Sequence, residues 1–211
     1  MKIQHRIKWI IFGFLAIGIG LYPVVYLLTS EPVGILSSKS DELLTHTLWR
    51  IGFYAHIIPG GIAMLTGWTQ FSQRIRNKRV NIHRLLGKIY VVAGLIAGCA
   101  GFAIAWAATG GLVSKTGFAT LGVLWITSTL GAYLHIRAGR VDQHEKWMIY
   151  SYALCFAAVT LRLYLPILIS ITGDFIPAYR IVAWLCWAPN LVFAYVYTER
   201  FMGRRTASVN G

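Results

Sequence analysis

Three histidines stand where apolar runs begin or end: His83 in NIHRLLGKIY, His135 in GAYLHIRAGR and His144 in VDQHEKWMIYSYA. Imidazoles at one depth on different helices suit two kinds of chemistry. A b-type haem takes two axial imidazoles from facing helices of a bundle. A transition metal takes three. For haem b the spacing favours His83 and His144 as ligands, with His135 as neighbour or alternative. Gly87 follows His83 by four residues and Gly131 precedes His135 by four. Residues four apart share a helix face, so each glycine would open room for the edge of a flat macrocycle, as would Gly60 after His56. A metal site on His83, His135 and His144 is the alternative; Asp142 and Glu145 are then the only nearby bases, which places a metal-dependent membrane enzyme last. A second pair, His56 and Arg162, is expected on the opposite side, lining a cavity in which Arg162 holds an anionic group.

The elements that must position these residues are membrane helices. The chain has 211 residues, 56% hydrophobic and 13% charged, against about a quarter charged in soluble domains. Apolar runs of bilayer length recur at 9–28, 50–71, 86–108, 117–137, 147–170 and 179–198. Bilayer interior offers backbone groups no partners, so such runs must be helices or barrel strands, and their length excludes strands. The first run exceeds a signal-peptide core and is read as a retained anchor. The expected fold is all-α: one membrane domain, 1–211, of six transmembrane helices, in which 50–170 forms a four-helix core flanked by 9–28 and 179–198.

Net charge is +13. Most of the Lys and Arg fall on one side of the predicted spans, with Lys39, Arg50, Lys115 and Arg180 on the other and Arg162 inside a span. By the positive-inside rule both termini are cytoplasmic, and the basic loops attract anionic lipid. With no soluble domain to present a basic face, no nucleic acid is expected. Cys99, Cys155 and Cys186 lie in apolar runs and read as small buried residues. Trp9, Trp49, Trp68 and Trp147 read as an interfacial belt. Intramembrane ionisable residues are functional candidates by default, which singles out His56 and Arg162 again.

The strings HIIPGGIAMLTGWTQF, NIHRLLGKIYVVAG and HIRAGRVDQHEKWMIYSYALCFAAVTLRLYLP resemble the bacterial predicted membrane proteins grouped as domain of unknown function 2306, over roughly residues 50 to 170. The resemblance implies a multi-pass protein of a bacterial inner membrane and a four-helix core, and brings no activity with it. The functional expectation is a single-haem b-type electron-transfer protein with bis-histidine ligation near the cytoplasmic face. The alternative is a membrane assembly factor or small-molecule carrier that uses the His56 and Arg162 cavity; protein partners are not named by the residues.

Overall fold

The computed structural model describes the backbone of residues 3–29 and 31–202 and the side chains of residues 6–29 and 31–200. Among the described residues the chain is all-α. In order it forms α1 (Ile3–Leu21), α2 (Pro23–Leu28), α3 (Asp41–Thr45), α4 (Thr47–Gly67), α5 (Gln73–Lys78), α6 (Val80–Ala105), α7 (Leu112–Arg137), α8 (Val141–Cys155), α9 (Ala157–Thr172), α10 (Phe175–Leu185) and α11 (Ala188–Tyr197). Short 3-10 turns, Gly34–Ser38 and Trp68–Phe71, fill two of the connections.

Among the described residues, five stretches are long and apolar enough to cross a membrane: Arg6–Leu28, Val80–Ala105, Leu112–Arg137, Val141–Thr172 and Phe175–Arg200. The expected second span is a helix, but α4 is not among the five. Arg50, His56, Pro59 and four glycines dilute its apolar character.

Packing explains why these sequences make a bundle. α4 packs against α6, α6 against α7, and α7 against α8; α1 lies on α4, α10 on α7 and α9, and α11 on α8. The buried face of α6 is Tyr90, Ala93, Gly94, Ala97, Gly98 and Ala105, spaced by threes and fours as one helix face requires. Its other faces expose Leu85, Val92 and Ile96. Small residues point inward and large apolar ones outward, the reverse of a soluble core. That is the membrane pattern, in which close backbone approach and buried polar contacts hold helices together. α7 buries Ser114, Gly117, Gly122, Ser128 and Thr129 on the same logic. In the middle, Ser151 Oγ bonds both Tyr90 Oη and Thr129 Oγ1, each at 2.7 Å, linking α8 to α6 and α7.

Three of the long stretches are interrupted. Pro23 starts α2 after Tyr22 and Pro189 stands in the first turn of α11, because proline has no N–H to offer an earlier carbonyl. The break between α8 and α9 at Phe156 has no proline. Asn190 bridges two of these interruptions, donating from Nδ2 to Ala153 O at 3.2 Å and Cys186 O at 3.0 Å. Pro59 and Pro166 lie inside α4 and α9.

Two faces result. On one, the loop around Lys39 meets the α6–α7 turn, and Arg180 Nε donates to Gly110 O at 2.7 Å. Gly110 and Gly111 take φ of 94° and 77° there, which a side chain would resist. On the other face Arg76 pairs with Glu145 at 3.0 Å and Lys146 with Glu199 at 2.5 Å.

Candidate functional site

A cavity of 220 Å³ opens beneath the first face. α4 lines it with one stripe, Trp49, Phe53, His56, Gly60 and Met64, a 4-3-4-4 spacing that keeps all five on one side of a helix. α6 opposes it with Ala97, Gly98 and Gly101; α9 supplies Ala158, Leu161 and Arg162. Residues beside all three interruptions also reach it: Pro23, Cys155, Ala157 and Cys186. Helices that break around a cavity can leave backbone groups to solvent or ligand inside a membrane without exposing them to lipid.

His56 is held by α6. Its Nδ1 lies 2.8 Å from Ala97 O. A carbonyl only accepts, so Nδ1 carries the hydrogen, and the neutral ring offers Nε2 as acceptor. Gly101, one turn beyond Ala97, makes the room: a Cβ there would sit 2.6 Å from His56 Nδ1. Arg162 Nη1 donates to Ala158 O at 2.9 Å, and its guanidinium carbon lies 4.4 Å from the centre of the Tyr22 ring, a cation–π contact. Among the described residues no carboxylate lies within ion-pair distance of Arg162. By helix rise it stands about 15 Å from the end of α9, and it is close enough to act electrostatically on His56.

Two further groups line the cavity. The indole N–H of Trp49 is buried without a partner. Lys39 closes the mouth, donating from Nζ to Ala107 O at 2.7 Å and to Thr109 Oγ1 at 3.0 Å. The polar side chains of the lining thus include the donors Arg162, Lys39 and Trp49, the hydroxyls of Tyr26 and Tyr179, and one acceptor on His56. Around them the wall is apolar, as ligand cavities commonly are.

Burial, together with nearby Lys115, pushes the Lys39 amine down to about 8 from its ordinary 10.5. The sign for stability follows from proton counting. Between about pH 8 and 10.5 the unfolded chain binds more protons than the folded one, so stability rises with pH across that window. Thermal unfolding in detergent should show this rise, and Lys39→Met should flatten it; an equal slope in both would assign it to other groups.

The other face holds the histidine trio. His144 Nδ1 lies 2.9 Å from Ala132 O, which turns the ring toward α7. His135 rests on the Trp147 ring, with centroids 5.9 Å apart. His83 is close enough to feel His144 but also Arg76 and Arg84, and its Nδ1 is buried without a partner. Among the described residues no three side chains of His, Cys, Asp and Glu gather as a metal site. Of the three rings, His144 is held by α7, while His135 packs on Trp147 and keeps its Nδ1, like that of His83, buried without a partner. Glu145, one of the two expected bases, pairs with Arg76. A Cβ on Gly131 would meet Trp147 at 2.8 Å, so an indole fills the space beside it, whereas one on Gly87 would make only an ordinary contact with Gln70 Oε1 at 3.5 Å.

Sequence reasoning reached His56 and Arg162 and missed the residues that complete their site. Lys39 lies in a loop, where depth gives no signal. Trp49 was assigned to the interfacial belt, yet its indole nitrogen is buried against the cavity; its spacing of seven from His56 was the available clue. His46 in the outer connection caps α4, accepting from Trp49 N at 3.4 Å.

The family model described as a predicted membrane protein, DUF2306, matches residues 53–198. No curated protein and no solved structure matches the chain.

Proposed function

We propose that this chain, which belongs to the DUF2306 family of predicted membrane proteins, is a multi-pass protein of a bacterial inner membrane that binds a small molecule in the His56 and Arg162 cavity, as a carrier or as a factor that presents its ligand to a partner. In this reading α4 is the sixth span. It lies among α1, α6 and α8, where neighbouring helices shield its polar residues from lipid. The positive-inside bias puts both termini in the cytoplasm and the Lys39 mouth on the outer side. The basic loops then face anionic lipid of the inner leaflet.

The observation that supports this best is an arginine lining a largely apolar cavity with no carboxylate partner among the described residues. Charges at such depth are costly and persist where function requires them.

Filling the cavity tests the reading. A Cβ on Gly60 would find its nearest neighbour at 3.8 Å, so Gly60→Leu should fit and occupy the space. Native mass spectrometry of the chain purified in mild detergent is expected to show a co-purifying small molecule on the unaltered protein and none on Gly60→Leu, with thermal stability retained. The same adduct on both would sink the cavity as binding site. The haem b reading on His83 and His144 is decided by the reduced-minus-oxidised spectrum of the same preparation. With the space beside Gly131 filled by Trp147, no b-type band is expected; a band near one haem per chain would carry that reading instead.

A further inference from the structure

Resting on the cavity reading, we infer that the occupant is a single-chain apolar molecule ending in a carboxyl group, with Arg162 as its counter-ion. Three side chains point to that chemistry. Arg162 bonds Ala158 O and the Tyr22 side chain, which leaves further N–H groups of its planar fork for an oxygen group. Trp49, whose indole N–H is buried without a partner, lines the same cavity and offers a second donor. His56, fixed by Ala97 O, adds one acceptor. Donors and acceptor together match a carboxyl group in both its forms. The protonated acid places its O–H on His56 Nε2 and its carbonyl on Arg162; the carboxylate takes Arg162 and Trp49.

Size and lining set the rest of the molecule. The cavity measures 220 Å³, below the roughly 300–1,000 Å³ of pockets for drug-sized ligands. A two-chain phospholipid is too large for it. Met64, Leu121, Leu161 and Ile104 form the wall away from the polar groups, a surface for an alkyl or prenyl chain. No acidic side chain lines the cavity, so nothing in it repels the carboxylate.

The test compares three probes of equal chain length on the full-length protein in detergent: decanoate, methyl decanoate and decanol, each radiolabelled and read by scintillation proximity. The unaltered chain should bind decanoate at least tenfold more tightly than the ester or the alcohol. Arg162→Gln should erase that preference while leaving ester binding in place. The acid-to-ester comparison on the unaltered chain needs no variant, so it decides the matter even if Arg162→Gln does not fold. Equal binding of all three probes would overturn the carboxyl assignment and leave the cavity reading standing. A preference that survives Arg162→Gln would overturn the role of Arg162. Binding of none of the three would overturn both.

Discussion

Gly61→Val should be the most damaging single change in the bundle, lowering stability by about 3 kcal/mol, the upper part of the range for overpacked sites. A Cβ at Gly61 would stand 2.5 Å from Gly20 O and 3.0 Å from Pro23 Cγ. The first of these is backbone, so no rotamer change relieves it; α1 must move away from α4. Thermal unfolding in detergent reads the effect, and size-exclusion chromatography separates a loosened monomer from aggregate. Gly18 is the control, because a Cβ there meets nothing within 4 Å, and Gly18→Ala should leave the midpoint almost unmoved. A Gly61→Val protein as stable as Gly18→Ala would mean that α1 and α4 do not approach as described.

The second large effect belongs to Asn190. Its side-chain amide reaches Ala153 O, Cys186 O and Thr160 Oγ1, all within 3.2 Å. Two of the acceptors are carbonyls beside helix interruptions, where lipid offers no replacement donor. Asn190→Leu should therefore cost about 2 kcal/mol, above the roughly 0.6 kcal/mol average for a single interhelical hydrogen bond in a membrane. Thr66→Ala is the comparison: that hydroxyl bonds only the carbonyls of Ile62 and Ala63 in its own helix. Equal losses for the two variants would mean that the amide does not staple the broken helices.

How much of this was legible depended on whether the signal was periodic. The apolar runs marked α6 and α7 because length and hydropathy suffice for a helix in lipid. The start of α6 was placed six residues late: Arg84 and Lys88 lower the local hydropathy, while the helix runs on through the interface from Val80. Pro23 and Pro189 announced their interruptions, whereas the break at Phe156 carries no residue that demands one. Depth along the helices brought His56 and Arg162 together. At the opposite face the same reasoning gives His83, His135 and His144 one depth and says nothing of how their rings turn. Depth fixes height and leaves rotation open. Ala132 O and Trp147 settle the rotation there, and neither is visible as a pattern. Glycines were ambiguous for a related reason. Gly131 looked like an opening and is the seat of an indole; Gly101, unnoticed, is the seat of the histidine.

The inward placement of small residues dictates the direction in which such a chain can drift. Outward positions such as Val92, Ile96 and Phe14 lie well exposed, so exchange among large apolar residues there should be nearly free. Inward positions such as Gly61, Ala97 and Gly98 tolerate almost nothing larger, since the next helix occupies the space a bigger side chain would need. Variation in a soluble protein spares the large buried residues and spreads over the small exposed ones. Here the roles invert, and descendants of this chain should share their glycines and alanines long after their leucines and isoleucines have changed places.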